Sequence, residues 1–314
     1  MKPTILALVG PTGSGKTKTA IQISKALNAE IVSMDSMQVY RDMDIGTAKP
    51  TKEELTAVPH HMIDVADPDQ IFTVSMYRDM AIHVIDDILA RGKQPLLVGG
   101  TGLYLQAISY EMSLGEQGVD SELRNDLNLI AAKPGGPEEL HHRLEIVDPE
   151  SAKKLHPNDV RRVIRALEIF ETSGKTKSER GNETQNEGPY HVLVYGLSLP
   201  REQMYARINA RVDQMVEEGL IQEVQSLLRR GITPKPEGGA MQAIGYKEIV
   251  GALRGEMTME QAIALIKQGS RRYAKRQWTW FRHDCRTKWF DWTEFSDETA
   301  LIDTLIKQIR YDLS

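Results

Sequence analysis

A glycine-rich stretch near the amino terminus limits the possible folds of this chain more than any other segment. An apolar run at residues 5–9 precedes it and predicts a buried strand, and residues 19–27 follow it with helical spacing. The stretch matches the phosphate-binding pattern G-x-x-x-x-G-K-[ST] and consists of Gly10, Pro11, Thr12, Gly13, Ser14, Gly15, Lys16 and Thr17. Because such glycines let backbone N–H groups surround an anion, we expect an α/β core that binds a di- or triphosphate here. The alternative is an ordinary glycine-rich turn between a strand and a helix.

Length and composition describe an ordinary globular protein with room for one large core and an insertion. The chain has 314 residues, 40% of them hydrophobic, and a net charge of -5, which neither favours nor opposes a nucleic-acid partner. Its single cysteine, Cys285, excludes an intramolecular disulfide and a cysteine metal cluster. Since the amino terminus leads straight into the phosphate-binding stretch and no apolar run reaches membrane-spanning length, we expect a cytoplasmic protein without a signal sequence.

Asp35 is the first candidate for a catalytic group. It directly follows a predicted strand at residues 29–34, and further strands are predicted at residues 60–65 and 94–98, with a long helix at residues 72–91. Ligands of an open parallel sheet bind at the carboxyl ends of its strands, so Asp35 is expected to share a crevice with the phosphate-binding stretch. The polar segment 38–49 predicts an ordered loop over this crevice.

The strand at residues 94–98 lacks a feature that is typical of nucleotide-hydrolysing P-loop proteins. In those proteins a later strand ends in an aspartate that helps to hold magnesium, whereas this strand is followed by Gly99, Gly100 and Thr101. The absence favours a diphosphate that departs as a leaving group, with Asp35 accepting a proton from an incoming amine or hydroxyl. The alternative is that Asp35 only caps a turn.

The middle of the chain changes character and predicts a helical insertion domain at residues 115–189, between two parts of the core at residues 1–114 and 190–314. The insertion has predicted helices at residues 121–132, 137–146, 149–154 and 158–172, followed by a polar loop at residues 174–189. Beyond it we expect strands at residues 190–197 and 287–292, and helices at residues 201–218, 220–230, 243–253, 258–282 and 298–311.

Positive charge is concentrated near the carboxyl end. Between Arg271 and Lys288 there are seven basic residues and one acidic residue, interleaved with Trp278, Trp280 and Phe281. Basic residues with aromatics are typical of a surface that binds a phosphate backbone. A second cluster at residues 161–165 contains three arginines, and a nucleic acid could lie between the two clusters. The alternative is that the aromatics pack inward while the arginines form a solvated face.

Several motifs together resemble the family of tRNA dimethylallyltransferases, also called tRNA isopentenyltransferases, along nearly the whole chain. Besides residues 10–17, the motifs are DSMQVY at 35–40, DIGTAKP at 44–50, HHMID at 60–64, GGTGLY at 99–104, HPNDVRR at 156–162, GYK at 245–247 and RRYAKRQ at 271–277. The resemblance implies a P-loop NTPase-like parallel sheet core with a helical insertion domain and a helical carboxyl-terminal part. No zinc-finger cysteines follow, which favours the bacterial type.

The resemblance also implies a reaction and a set of site residues. A dimethylallyl group would pass from dimethylallyl diphosphate to N6 of the adenosine immediately 3′ of the anticodon of tRNA, with release of diphosphate. Asp35 would be the base, Lys16 and Arg211 would bind the departing diphosphate, Thr101 would contact the reacting region, and Mg²⁺ would lie near Thr17. The implied tRNA contacts are Asp35, Ser36, Met37, Gln38, Thr101, Arg124, Asp159, Val160, Arg161, Arg162, Val163, Gln242, Ala243, Ile244, Gly245, Tyr246 and Lys247. A monomer is expected.

Three alternatives remain at this point. An adenylate isopentenyltransferase would use the same donor with free AMP, ADP or ATP, but the motif at residues 156–162 and the insertion favour tRNA. A small-molecule P-loop kinase would transfer phosphate from ATP, and the missing strand-end aspartate argues against it. An RNA-binding protein with a vestigial nucleotide site would not need the complete loop or Asp35.

Overall fold

The computed structural model describes residues 2–111, 121–179, 187–235 and 239–314. These residues form two compact units, one composed of residues 1–109 and 189–314 and the other of residues 110–188. The predicted start of the insertion at residue 115 lies outside the described residues, as do residues 180–186 of the predicted polar loop. No helix in the described ranges has both the length and the apolar character needed to cross a membrane.

The first unit contains a six-stranded parallel sheet with the strand order β3-β2-β4-β1-β5-β6. The strands are β1 (Thr4–Val9), β2 (Ala29–Met34), β3 (His60–His61), β4 (Gln94–Gly99), β5 (His191–Ser198) and β6 (Lys288–Asp291). Residues 5–9 of β1 are almost completely buried, as expected for a central strand whose two faces are both covered. The sheet confirms the α/β fold class predicted from the sequence.

Most of the remaining described residues lie in α-helices. These include α1 (Lys16–Leu27), α2 (Lys52–Ala57), α3 (Val74–Ala90), α4 (Gly102–Ser109), α5 (Ser121–Ala131), α6 (Gly136–Val147), α7 (Pro149–Lys154), α8 (Val160–Ser173), α9 (Arg201–Glu217), α10 (Leu220–Arg229), α11 (Tyr246–Leu253), α12 (Met259–Arg282) and α13 (Glu298–Leu313). Short 3₁₀ turns lie at Ala240–Gln242 and Trp292–Glu294.

Buried apolar clusters hold the first unit together, and three of them are large. Helices α3 and α4 and Phe281 of α12 cover one face of the sheet, and α1 and α13 cover the other. A third cluster joins the segment around Val39 and Met43 to helices α9 to α12. Apolar burial contributes roughly 25 cal/mol per Å². These clusters therefore stabilise the positions of the helices whose long side chains reach the carboxyl edge of the sheet.

The second unit is helical and has its own small core. Apolar residues of α5, α6, α7 and α8, among them Leu127, Leu140, Leu144 and Val163, pack together. Arg124 of α5 forms an ion pair with Glu168 of α8, a carboxylate that is only 3% exposed. Since an unpaired carboxylate at this depth would be costly, Arg124 helps to hold two helices of this unit together.

The structure differs from the sequence-based prediction at short elements. Strand β3 has two residues rather than the predicted six, because Met62 and Asp64 adopt left-handed backbone conformations that end the extended strand. Helices α2 and α4 were not predicted, and α4 begins at Gly102 inside the GGTGLY motif. Both are six to eight residues long, too short for a clear helical period.

Candidate active site

Residues 10–15 form a loop between the central strand β1 and helix α1, and residues 16 and 17 of the motif lie in the first turn of that helix. Helix α1 begins at Lys16, and Gly15 before it has a left-handed φ of 89°. A side chain at Gly15 would overlap the indole of Trp292, whose Nε1 donates a hydrogen bond to Ser14 O at 2.9 Å. The loop is therefore held from the carboxyl-terminal part of the chain, and the positive end of the α1 dipole faces into it.

Two basic side chains meet at this loop. Lys16 Nζ donates to Gly10 O at 2.9 Å and to Pro11 O at 2.8 Å, and Arg211 Nη1 donates to Thr12 Oγ1 at 3.4 Å. Burial and the nearby charge of Arg211 lower the pKa of Lys16 to about 7, while Asp35 opposes this shift. Burial also lowers the pKa of Arg211. Because burial disfavours the protonated forms of Lys16 and Arg211, a bound anion would stabilise both cations.

A pocket with a volume of about 370 Å³ lies beside the loop. Its lining includes the charged residues Lys16, Asp35, Glu54 and Arg211, and an apolar group composed of Ala20, Ile31, Pro50, Ile63 and Val98. A cavity with cationic groups and aliphatic wall together can accept a phosphate group that carries a short hydrocarbon.

Asp35 lies at the carboxyl end of β2 and lines the same pocket as Lys16. Its Oδ1 accepts hydrogen bonds from the backbone N–H groups of Met37 at 2.9 Å and Gln38 at 3.3 Å. Its Oδ2 has no hydrogen bond among the described residues. One oxygen thus caps the turn, as in the structural alternative considered above, and the other is available as a proton acceptor.

Thr101 connects the end of β4 to the segment that carries Asp35. Its N–H donates to Met34 O at 3.1 Å, and its Oγ1 accepts from Ser36 N at 3.3 Å. Burial and the charge of Asp35 raise the pKa of Tyr273 of α12 to about 12, and interactions with Thr101 and Gln277 oppose this shift. The Tyr273 phenol is therefore protonated at neutral pH and can act as a hydrogen-bond donor.

Close packing explains why no aspartate follows β4. A Cβ atom at Gly99 would lie 2.3 Å from Met34 O, and one at Gly100 would lie 1.8 Å from Gln277 Nε2. The space that a strand-end carboxylate would need is occupied by β2 and by α12. The geometry therefore does not provide the magnesium-binding aspartate of nucleotide-hydrolysing P-loop proteins at this position.

Glu223 of α10 holds the loop at residues 38–49, part of which lines the pocket. Its carboxylate accepts from the N–H groups of residues 44–46 at 2.8, 2.8 and 3.1 Å and from Tyr246 Oη at 2.6 Å. Gln38 Nε2 donates to Ala48 O at 3.1 Å within the loop. This carboxylate orders the segment that carries the pocket residues Thr47 and Ala48.

The oxygen donors near Thr17 fit a cation that is held mainly by a bound diphosphate. Thr17 is exposed and lines the pocket with the carboxylates Asp35 and Glu54. Within the described ranges, no group of three His, Cys, Asp or Glu side chains could hold a metal ion. Mg²⁺ is commonly bound through one or two protein oxygens, water and substrate phosphates, so this donor set is compatible with it.

The predicted tRNA contacts at residues 242–247 are partly buried. Ala243, Gly245 and Tyr246 lie in the interior, while Lys247 is exposed and Ile244 is half-buried. Gln242 Nε2 donates to Lys235 O at 2.8 Å. Of these six residues, Lys247 therefore offers the most accessible positive charge to a partner.

The predicted contacts in the second unit divide in the same way. Arg161 and Arg162 are exposed at the start of α8, and Arg162 Nη1 lies 3.1 Å from Asp159 Oδ2. Val160 is half-buried and Val163 is buried in the helical core. The guanidinium of Arg124 is engaged with Glu168, as is that of Arg165, so Arg161 and Arg162 carry the accessible charge.

Only part of the basic cluster at residues 271–288 remains unneutralised. Arg286 pairs with Asp284 and Lys288 with Asp312, and Arg271 Nη1 donates to Asn209 Oδ1 at 2.6 Å. Phe281 is buried, whereas Trp280 is 41% exposed. The remaining exposed cations are Arg272, Lys275, Arg276 and Arg282.

The pocket residues that received no individual role from the sequence include Glu54, Arg207, Tyr273 and Gln277. Tyr273 and Gln277 lie four residues apart on one face of α12, within the motif RRYAKRQ. A polar side chain at a buried position of an amphipathic helix is a signal for a specific hydrogen-bond partner, and it could have identified Gln277.

Comparison with known proteins gives concordant matches. The family model described as IPP transferase matches residues 38–284. A tRNA dimethylallyltransferase of Halalkalibacterium halodurans is 47% identical over 304 residues, which cover 96% of each chain. One from Oceanobacillus iheyensis is 46% identical over 314 residues, covering 100% of this chain and 97% of that relative.

Two solved structures have a similar fold. The tRNA isopentenylpyrophosphate transferase from Bacillus halodurans has a TM-score of 0.74 and 45% identity, with 100% of this chain and 97% of that chain covered. A eukaryotic dimethylallyltransferase described as acting on tRNA has a TM-score of 0.76 and 31% identity, with 92% and 74% covered.

Proposed function

The chain belongs to the IPP transferase family, and from this premise we propose that it transfers the dimethylallyl group of dimethylallyl diphosphate to N6 of the adenosine immediately 3′ of the anticodon of tRNA. The observation that carries this function is the position of Asp35. Its Oδ2 has no hydrogen bond among the described residues, and it lines one pocket with Lys16 of the phosphate loop. A proton acceptor thus lies beside a site for a leaving diphosphate.

The reaction is a substitution at the allylic carbon of the donor. The N6–C1 bond forms, the C1–O bond breaks, and the bonding electron pair leaves with the diphosphate. The exocyclic amine of adenine is a weak nucleophile, so transfer of one of its protons to Asp35 Oδ2 favours the new bond. The adenosine enters after it leaves the stack of the anticodon loop, which costs less than extrusion from a duplex.

The phosphate loop stabilises the charge that develops on the diphosphate. The amino end of α1, the ammonium of Lys16 and the guanidinium of Arg211 converge on this site. A bound diphosphate raises the pKa of Lys16 above its value of about 7, because an opposite charge favours the protonated amine. The site is therefore most cationic when the anion is present.

Mg²⁺ is proposed as the metal of this reaction, and it would neutralise part of the diphosphate charge when bound. Thr17 would hold it, with Glu54 as a further oxygen donor of the pocket. Exposed arginines at the start of α8 and exposed cations of α12 would bind the phosphates of the anticodon stem-loop. Since tRNA is the substrate, the proposed compartment is the cytoplasm, and the proposed working state is a monomer.

The test is a comparison of acceptors with one isotopically labelled donor. The protein is incubated with labelled dimethylallyl diphosphate and either total tRNA or AMP, ADP and ATP, and nucleosides are analysed by mass spectrometry. We expect N6-dimethylallyladenosine from tRNA alone. Labelled AMP without labelled tRNA would reject the tRNA function in favour of an adenylate isopentenyltransferase. Conversion of ATP to ADP with unmodified tRNA would indicate a kinase.

A further inference from the structure

Gln277 of α12 connects the two halves of the site. Its side chain is buried, with 5% of the residue exposed. Gln277 Oε1 accepts from the N–H of Thr12 in the phosphate loop at 2.8 Å, and Gln277 Nε2 donates to Gly100 O after β4 at 3.1 Å. One planar amide therefore fixes the distance between segments that follow two different strands.

The contacts of Gln277 extend to the segment that carries Asp35. Its partner Gly100 is followed by Thr101, whose Oγ1 accepts from Ser36 N at 3.3 Å. The phosphate loop is thus linked through α12 to the residue next to the proton acceptor. Protein interiors are packed as densely as organic crystals, so movement of one of these residues displaces the others.

We propose that Gln277 is a positioning residue, which holds the phosphate loop in register with the Gly100–Thr101 segment so that the allylic carbon of the donor meets the nucleophile beside Asp35. This inference rests on the proposed transferase function. Gln277 makes no bond to the reacting atoms in the reaction. Its contribution is geometric, and misplacement of reacting groups by about 1 Å can lower a rate by about 100-fold.

The chemistry of the position requires an amide. The N–H of Thr12 needs an acceptor and the carbonyl of Gly100 needs a donor, and glutamine supplies both on one rigid group. An ionised glutamate would keep the acceptor but would place a second oxygen against Gly100 O. A methionine of similar volume would supply neither hydrogen bond and would leave both backbone groups without partners.

A misaligned site has a distinct chemical outcome. If the donor ionises or reacts while the acceptor is displaced, water can attack the allylic carbon, and dimethylallyl diphosphate and water give dimethylallyl alcohol and diphosphate. The ratio of released diphosphate to modified adenosine then rises above one. A purely structural role of Gln277 would lower the amount of folded protein without changing this ratio.

The experiment compares Gln277→Glu and Gln277→Met with the wild-type chain. Gln268→Glu and Gln268→Met are matched controls, because Gln268 is an exposed glutamine of the same helix. The measurements are kcat with tRNA, KM for the donor, the ratio of diphosphate released to adenosine modified, and Tm. For Gln277→Met we expect kcat to fall by about 100-fold, KM for the donor to change less than about threefold, and the ratio to rise.

The pH profile of Gln277→Glu gives a second readout that does not depend on the stability of the methionine variant. A protonated glutamate can donate to Gly100 O and accept from Thr12 N, so activity relative to wild type should be highest at low pH and should fall as the carboxyl ionises. The Gln268 variants should follow the wild-type profile.

Two results would overturn the inference. Wild-type values of kcat and of the diphosphate ratio in both Gln277 variants would show that the amide has no positioning role. A loss of activity that follows the loss of folded protein, with a ratio of one and no altered pH profile, would show a purely structural role. A wild-type chain that leaves tRNA unmodified would instead reject the proposed function itself, and this inference with it.

Discussion

Strand β2 has one carboxylate near its start and another just past its end, and the two differ in how completely their oxygens are paired. Glu30, near the start of the strand, is buried and contacts three cationic or titratable side chains: Arg91, Lys93 and His61 at 2.6 to 2.8 Å. Asp35, just past the other end, uses one oxygen for its own turn and presents the other in the pocket. The fully paired carboxylate stabilises the sheet, and the partly paired one is available for chemistry.

The largest effect is expected on activity, when the charge of Asp35 is removed. Asp35→Asn keeps Oδ1 as the acceptor for the turn and removes the proton acceptor, so we expect kcat to fall by about 1,000-fold with little change in Tm or tRNA affinity. The measurement is single-turnover transfer to tRNA together with a binding assay. Asp297→Asn is a matched control, since Asp297 Oδ1 also accepts from a nearby backbone N–H, that of Ala300 at the start of α13. Retention of more than a tenth of the wild-type kcat by Asp35→Asn would contradict the assignment.

The reciprocal change at Glu30 should affect stability rather than chemistry. Glu30→Gln removes the carboxylate that pairs with Arg91 and Lys93, and we expect the free energy of unfolding to decrease by about 2 kcal/mol. This value is below that of a fully buried pair because both cations retain contact with water, with side-chain exposures of 39% and 34%. Denaturant unfolding measures the change, and kcat of the folded variant should equal that of wild type. A large loss of kcat at unchanged stability would contradict this prediction.

The same ion pairs predict a pH dependence. The hydrogen bonds from Arg91 and Lys93 lower the pKa of Glu30 far below its ordinary value. The carboxylate therefore contributes its full stability above the pKa of about 4.5 of an unfolded glutamate, and this contribution is lost as pH falls below that value. We expect the unfolding free energies of wild type and Glu30→Gln to begin to converge below about pH 4.5 and to continue converging as pH falls towards the much lower pKa of the folded state. Parallel curves across this range would show that the ion pairs do not stabilise the sheet.

The buried ammonium of Lys16 is expected to lower the free energy of unfolding at neutral pH. Its pKa is lowered from 10.5 to about 7, so the unfolded chain binds more protons between these values and Lys16 destabilises the fold at and below pH 7. We expect Lys16→Met to raise the unfolding free energy by about 1 kcal/mol at pH 7 and to lower kcat strongly. Thermal unfolding at pH 7 and pH 10 measures the effect, which should shrink at the higher pH. A destabilised Lys16→Met variant at pH 7 would contradict this interpretation.

The smallest effect is expected at Glu223, which resembles Glu30 in being fully engaged but acts on a loop of the pocket. Glu223→Gln replaces one acceptor oxygen by an NH₂ group facing the N–H groups of residues 44–46, so the loop should loosen and KM for the donor should rise by about tenfold. Steady-state kinetics measures the change. Glu217→Gln, on a helix end of the same unit, is a control. An unchanged KM would show that the loop does not depend on this carboxylate.

The sequence predicted the parts of the site that depend on local order. The phosphate loop and Asp35 follow apolar runs, and each position is fixed by the strand immediately before it. The partners of Gln277 and Glu223 could not be predicted, because Thr12 lies 265 residues from Gln277 and Asp44 lies 179 residues from Glu223. The placement of such side chains depends on tertiary packing, which single-sequence periodicity does not specify. Strand β3 ends early because Met62 and Asp64 adopt left-handed conformations. Neither residue type requires such a conformation, so the sequence does not predict it.

The support of the phosphate loop by Gln277 and Trp292 has a consequence for how the protein is made. The ribosome synthesises residues 10–17 early, whereas Gln277 and Trp292, which contact them, are added much later. The central strand β1 likewise waits for its neighbour β5, which pairs Thr4 with His191. Domains fold as units during synthesis, so a nascent chain that lacks its last segments has no completed donor site. The enzyme therefore becomes active only after translation has reached the carboxyl-terminal helices.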